Sequence, residues 1–97
     1  MENQPDDKRE QNIDFVNKEK IKIVIQTQTH RVIGMYYKRE EIRLMDSLKN
    51  DEHIIPITDA KVYSNTVSTE RYKTKFIAIY RDHIIWAVSA SDFIVEN

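Results

Sequence analysis

The sequence predicts a mainly β fold: a small antiparallel barrel of five or six strands with one short helix, behind a disordered N-terminal tail. Three observations predict it. Ile21, Ile23 and Ile25 alternate with Lys20, Lys22 and Gln26, which is the period of a half-buried strand. The only glycine, Gly34, sits inside a second such run, where a residue without a Cβ marks a bulge or bend that lets a small sheet curl. Ten of the thirteen residues from Phe76 to Val88 are apolar, so both faces of that segment want cover. At 97 residues the chain builds one core and one domain.

Residues 1–12 hold four acids, two bases and no large apolar residue after Met1, so they read as a tail, with residues 13–97 as the domain. The first strand runs through Ile21–Ile25, and Thr27 to His30 is a polar turn. Arg31 to Tyr37 then returns as the second arm of a hairpin. Ile42, Met45 and Leu48 fall at helical spacing, which predicts one helix over about 42–50, stopped at Asn50. His53 to Tyr63 reads as a strand interrupted at Pro56 and near Asp59-Ala60, with the proline pointing to an edge or a bulge. After the polar loop Ser64 to Glu70, Tyr72 to Val88 reads as two strands meeting in a hairpin at Arg81-Asp82. Phe93, Ile94 and Val95 read as a last short strand.

Composition excludes many activities. There is no cysteine, which removes disulfides, thiolate metal sites and a Cys nucleophile, and one glycine cannot build a phosphate-cradling loop. Fifteen bases against sixteen acids argue against a strongly basic nucleic-acid binder. The longest apolar run, Phe76 to Tyr80, is far short of the roughly 20 residues of a membrane span, so a cytoplasmic protein with no membrane contact is expected.

Thr29-His30-Arg31-Val32-Ile33-Gly34-Met35-Tyr36, then Ile55-Pro56-Ile57-Thr58-Asp59-Ala60, then Ile79 to Trp86 resemble the two halves of the Sm-like motif. More narrowly, Arg43 to Leu48, Ile55 to Tyr63, and Phe76 to Ile79 with His83 to Trp86 resemble a family of small uncharacterised bacterial domains. The resemblance implies an Sm-like or SH3-like barrel. For Sm-like proteins it would further imply ring formation and RNA binding through a strand-three Asn and an Arg-Gly pair. Ile54 stands where that Asn would be and Tyr80-Arg81 replaces the pair, so the fold analogy is stronger than the RNA analogy.

Candidate sites follow from these patterns. His30, His53 and His83 share no ligand spacing on one element, the carboxylate pairs Glu40-Glu41 and Asp51-Glu52 read as solvated charge, and no serine has a nucleophile-elbow setting. Asp59 reads as a turn-fixing acid. No catalytic residue, cofactor or metal is expected, and the chain reads as a non-enzymatic interaction module. It would self-associate through the Tyr72 to Val88 hairpin and the face of Arg31 to Tyr37, with Tyr36, Tyr37, Ile77, Ile79, Tyr80, Ile85 and Trp86 as the interface. The partner is then a second copy or another protein. The alternative is an Sm-like binder of RNA or single-stranded nucleic acid. It would use two lysine stripes, Lys18, Lys20, Lys22 and Arg71, Lys73, Lys75, with Tyr72 interleaved and Arg81 and His83 at the turn. Strand-edge lysines also block stray pairing, which makes nucleic acid the less favoured partner.

Overall fold

The computed structural model describes residues 17–51, 53–94 and 96, so the expected tail at 1–12 lies outside the described residues. Among the described residues alternating apolar positions give five strands: β1 (Lys18–Thr27), β2 (His30–Arg39), β3 (Ile54–Ser64), β4 (Arg71–Tyr80) and β5 (Ile84–Ser89). One helix, α1 (Leu44–Asn50), lies between β2 and β3, and 3-10 turns occupy Arg81–His83 and Ala90–Asp92. All neighbours are antiparallel, in the order β4-β3-β2-β1-β5. None of the helices is long and apolar enough to cross a membrane among the described residues.

One face of every strand points to a single core. Ile23 and Ile25 of β1, Val32 and Tyr36 of β2, Ile55, Ile57, Ala60 and Val62 of β3, and Ile79 of β4 form it; Ile84 and Ala87 of β5 and Leu44 and Leu48 of α1 pack against it. A flat sheet cannot bring five strands onto one cluster, so this sheet is strongly coiled. Its hydrogen-bonded ladder is nevertheless open, because no pairing joins β4 to β5.

The coil is made at Gly34. Ile33 pairs with Lys61 while Met35 pairs with Thr58, so β3 carries one extra residue opposite the glycine. Asp59 absorbs the bulge with φ of 48°, the left-handed region that Asp tolerates better than most residues. The acid expected to fix a turn at a strand end therefore sits inside a continuous strand. A Cβ on Gly34 would collide with Ile57 Cγ2 and lie 2.9 Å from the Thr58 carbonyl oxygen and 3.1 Å from Ala60 Cα. The bend expected from the lone glycine is present, and close backbone approach is its cause. Pro56 does not interrupt β3. It pairs with Ala78 in the half of β3 that β2 no longer accompanies, where a missing N–H costs no bond to β2.

Three expectations are corrected. The segments on either side of Arg81-Asp82 do not form a hairpin: they are the two ends of the sheet, joined by the Arg81–His83 turn. A tight two-residue hairpin needs positive φ at its central residues, and no residue of this connection adopts it. Arg81 instead donates its backbone N–H to the His53 carbonyl (2.8 Å) and its guanidinium to the carbonyls of Lys49 and Asp51, which steers the chain away from β4 past the end of α1. Phe93 and Ile94 make no strand, so the lower of the expected five or six strands holds among the described residues; the Ala90–Asp92 turn folds back against β1. The helix begins at Leu44, because the Ile42 N–H is taken by the Arg39 carbonyl at 3.1 Å in the turn that leaves β2.

Candidate functional site

Register alone builds a row of side chains across the outer face of the sheet. Trp86 of β5 pairs with Gln26 of β1, Gln26 with Arg31 of β2, Arg31 with Tyr63 of β3, and Tyr63 with Arg71 of β4. Period two then puts all five on the face opposite the core. The contacts follow the register. The Arg31 guanidinium lies 5.6 Å from the Trp86 ring centre and 5.4 Å from that of Phe93, the two rings stack at 5.7 Å, and Arg71 lies 5.9 Å from the Tyr63 ring. Arg31 Nε donates to Gln26 Oε1 at 3.1 Å, and Gln26 Nε2 donates to the carbonyls of Thr27 and His30, so the largely buried amide orients the guanidinium.

The next row is Val88, Val24, Ile33, Lys61 and Lys73. Lys61 and Lys73 face each other directly, an arrangement of like charges that weakens a ladder. With Arg71 and Lys75 they form an exposed basic cluster, and none of the four pairs with a carboxylate within 4.0 Å among the described residues. Shallow depressions of about 400, 330 and 450 Å³ run along this cluster: from Asp59 to Lys75, between Tyr63 and Lys73, and from Arg31 to Asn65.

The residues singled out by sequence are redistributed. Arg71, Lys73 and Lys75 form one stripe on β4 as expected. Lys18, Lys20 and Lys22 pair with Arg39, Tyr37 and Met35 and share the outer face, three strands further on. Glu19 projects to the other face, where its carboxylate meets Lys38 Nζ at 2.9 Å. Tyr72 is not interleaved with the β4 stripe. It pairs with Val62 on the opposite side of the strand, and hydrogen bonding to Glu70 raises its phenol. The aromatic that sits among the cations is Tyr63. Arg81 is committed to carbonyls at the end of α1, and His83 lies on the turn with its ring 6.2 Å from that of Tyr80.

The expected interface divides in the same way. Tyr36 is 2% exposed in the core, where its hydroxyl meets Ser47 Oγ and Asp51 Oδ2, each at 2.7 Å. Burial, together with the Asp51 carboxylate and against the Ser47 hydrogen bond, pushes its phenol up to about 12. Ile79 is buried and Ile77 packs on the core, so these three are not surface anchors. Tyr37, Tyr80, Ile85 and Trp86 are exposed, Trp86 at 37% on the outer face, which places it outside the core.

Beside Tyr80 lies an edge unpaired among the described residues. Pro56 has no N–H, Arg81 N donates to His53, and the β3–β4 register is constant, so Ile77 and Ile79 exchange ladder bonds with β3. The backbone groups of Phe76, Ala78 and Tyr80 point away from β3, towards no other strand among the described residues. Phe76 confirms this geometry: its N–H and carbonyl are met by the Thr74 hydroxyl at 3.3 and 2.9 Å. Phe76 and Tyr80 are 58% and 61% exposed.

No three His, Asp or Glu side chains gather into a metal-binding group among the described residues. Sequence reasoning missed Arg31, Lys61, Tyr63 and Phe93. Arg31 and the Lys61-Val62-Tyr63 alternation were visible, but which strands they would stand beside was not. Comparison of the chain with protein-family models, with curated proteins and with solved structures finds no match.

Proposed function

We propose that this chain is a non-enzymatic interaction module of the small-barrel kind, Sm-like or SH3-like in outline, which self-associates by strand addition. The observation that carries the reading is the second half of β4. An edge strand is normally protected by charge, proline or a bulge. The first half of β4 has that protection in Arg71, Lys73 and Lys75, while Phe76–Tyr80 has no charged residue and leaves the backbone groups of Phe76, Ala78 and Tyr80 outward. Exposed Ile54 and Tyr80, paired across β3 and β4, add apolar surface beside it. A second copy is the fitting partner because the sheet's other edge, β5, is also uncharged over Ile84–Ser89. Among the described residues the sheet has one free edge at each end, which supports a head-to-tail contact that closes if its rotation allows.

Ala78→Pro tests this directly. Its N–H makes no ladder bond to β3, so the substitution removes an outward donor and leaves the β3–β4 pairing in place. Light scattering on the full chain should give a multiple of 11.6 kDa for the wild type and a monomer for Ala78→Pro and for Ala78→Lys, which restores charge to the edge. A wild-type monomer at tens of micromolar, or an unchanged mass in both variants, rejects the reading.

A further inference from the structure

The outer face lies apart from the free edge and has a different chemistry. Guanidinium and aromatic groups alternate along the row Phe93, Trp86, Arg31, Tyr63, Arg71, and the opposed lysines Lys61 and Lys73 flank its β3–β4 end. The geometry points to a binding site for single-stranded nucleic acid on this face, with Trp86 and Tyr63 as stacking surfaces and Lys61, Lys73 and Arg71 as phosphate contacts.

Each part of the arrangement selects the ligand. Two lysines held face to face repel, and a bridging anion turns that repulsion into two favourable contacts. A compact anion alone would leave the aromatic row unused. Planar groups joined by phosphates use both, because bases stack on aromatic and guanidinium faces while the backbone follows the cations. The row crosses four interstrand spacings, about 19 Å. Among the described residues no α-helix projects from this sheet face to enter a duplex groove, which favours an unpaired strand. Asp59 and Glu70 are the acids nearest the cluster. Asp59 lines one depression together with Lys61, Lys73 and Lys75, and Glu70 precedes Arg71 at the start of β4, 3.9 Å from His30 Nε2, so one acid stands against three cations and the other lies at the margin. Near-neutral net charge confines the attraction to this patch, and binding should be of modest affinity and steeply salt-dependent.

Trp86 is the only tryptophan and therefore an intrinsic probe of the row. The full chain is titrated with a fluorescein-labelled single-stranded oligonucleotide of mixed sequence at low salt, reading both anisotropy and Trp86 fluorescence. The expected result is saturable binding with quenching of Trp86, and a loss of roughly twentyfold in affinity between 50 and 200 mM salt for the three phosphates neutralised by Lys61, Lys73 and Arg71. Lys61→Glu/Lys73→Glu should lose at least tenfold, and Tyr63→Ala should weaken binding several-fold. Lys49→Glu makes the same charge change as Lys73→Glu alone, on α1 across the core from the row, and should change affinity much less than that variant does. Thermal melts of each variant guard against unfolding, and Lys73→Glu alone should melt no lower than the wild type because it removes the like-charge pair.

Absence of binding at low salt overturns the proposal. So does equal binding of heparin with equal Trp86 quenching, which would make the face a general polyanion surface, and so does Lys61→Glu/Lys73→Glu binding like the wild type while folded. Ala78→Pro should keep its oligonucleotide affinity per chain, which separates the failure of this site from the failure of self-association.

Discussion

Gly34→Ala should destabilise the fold even though alanine is ordinarily the better residue in a regular element. Gly34 has no positive φ, so the substitution meets no backbone penalty, and by restricting the unfolded chain it would alone stabilise by about 0.4–1 kcal/mol. Against this stands the new Cβ, which meets Ile57 Cγ2, the Thr58 carbonyl oxygen at 2.9 Å and Ala60 Cα at 3.1 Å. Two of these three are backbone atoms of the bulge and cannot rotate away, so the strand itself must shift. Overpacking of this kind costs about 1–3 kcal/mol, and the upper half applies where the neighbours are backbone. The net loss is about 1–2 kcal/mol, seen as a fall in Tm of roughly 5–15 °C for a domain of this size. Urea unfolding followed by far-UV circular dichroism should show a lower midpoint with an unchanged slope. In an Ile57→Ala background the same substitution should cost less, because one of the three contacts is gone. A Gly34→Ala protein as stable as the wild type would refute the close-approach account of the bend.

The other outcomes rest on single residues in the same frame. Asp59→Gly should be neutral or slightly stabilising and Asp59→Val should cost roughly 1–2 kcal/mol, because φ of 48° suits glycine and disfavours a β-branched residue; chemical denaturation of both variants measures the difference. Tyr36 has its phenol raised from 10.0 to about 12, so its contribution is complete below pH 10 and is lost as pH rises through 12. Between pH 8 and 11 the wild type should lose about 1.4 kcal/mol more than Tyr36→Phe, read from paired denaturation curves. Ile77→Pro should unfold the chain where Ala78→Pro does not, since only Ile77 donates into the β3–β4 ladder; comparing their circular dichroism spectra checks the edge assignment.

Local features were legible in the sequence and pairings were not. The alternation of Ile21, Ile23 and Ile25 and the bending role of Gly34 depend on neighbouring residues, and the structure bears both out. The supposed hairpin at Arg81-Asp82 failed for a physical reason: two apolar strands separated by three residues look like a hairpin unless something pulls the chain aside. Here that agent is the pair of carbonyls at Lys49 and Asp51, some thirty residues away. The same limit hid the aromatic row. Arg31, Tyr63 and Trp86 lie far apart in sequence, and only the register of four ladders makes them neighbours. Tyr36 was misread as an interface anchor because a tyrosine on an alternating strand faces either way. Its hydroxyl finds Ser47 and Asp51 only once α1 has docked.

The bulge also explains why one strand can carry two unlike surfaces. Ile55 and Ile57 face the core, but beyond Asp59 it is Ala60 and Val62 that do so, three residues on instead of two. β4 keeps constant register with β3 through this point, so it must change parity as well. Arg71 and Lys73 therefore lie on the outer face as odd-numbered positions, whereas past the bend Ile77 and Ile79 turn inward and Phe76, Ala78 and Tyr80 take the outer side. Without the extra residue at Asp59, the inward set of β4 would continue as Arg71, Lys73 and Lys75, and three cations would be driven into the core at a cost no packing could offset. Gly34 and Asp59 thus do more than curve the sheet: they let a strand basic at one end and apolar at the other bury isoleucines while keeping its charges in water.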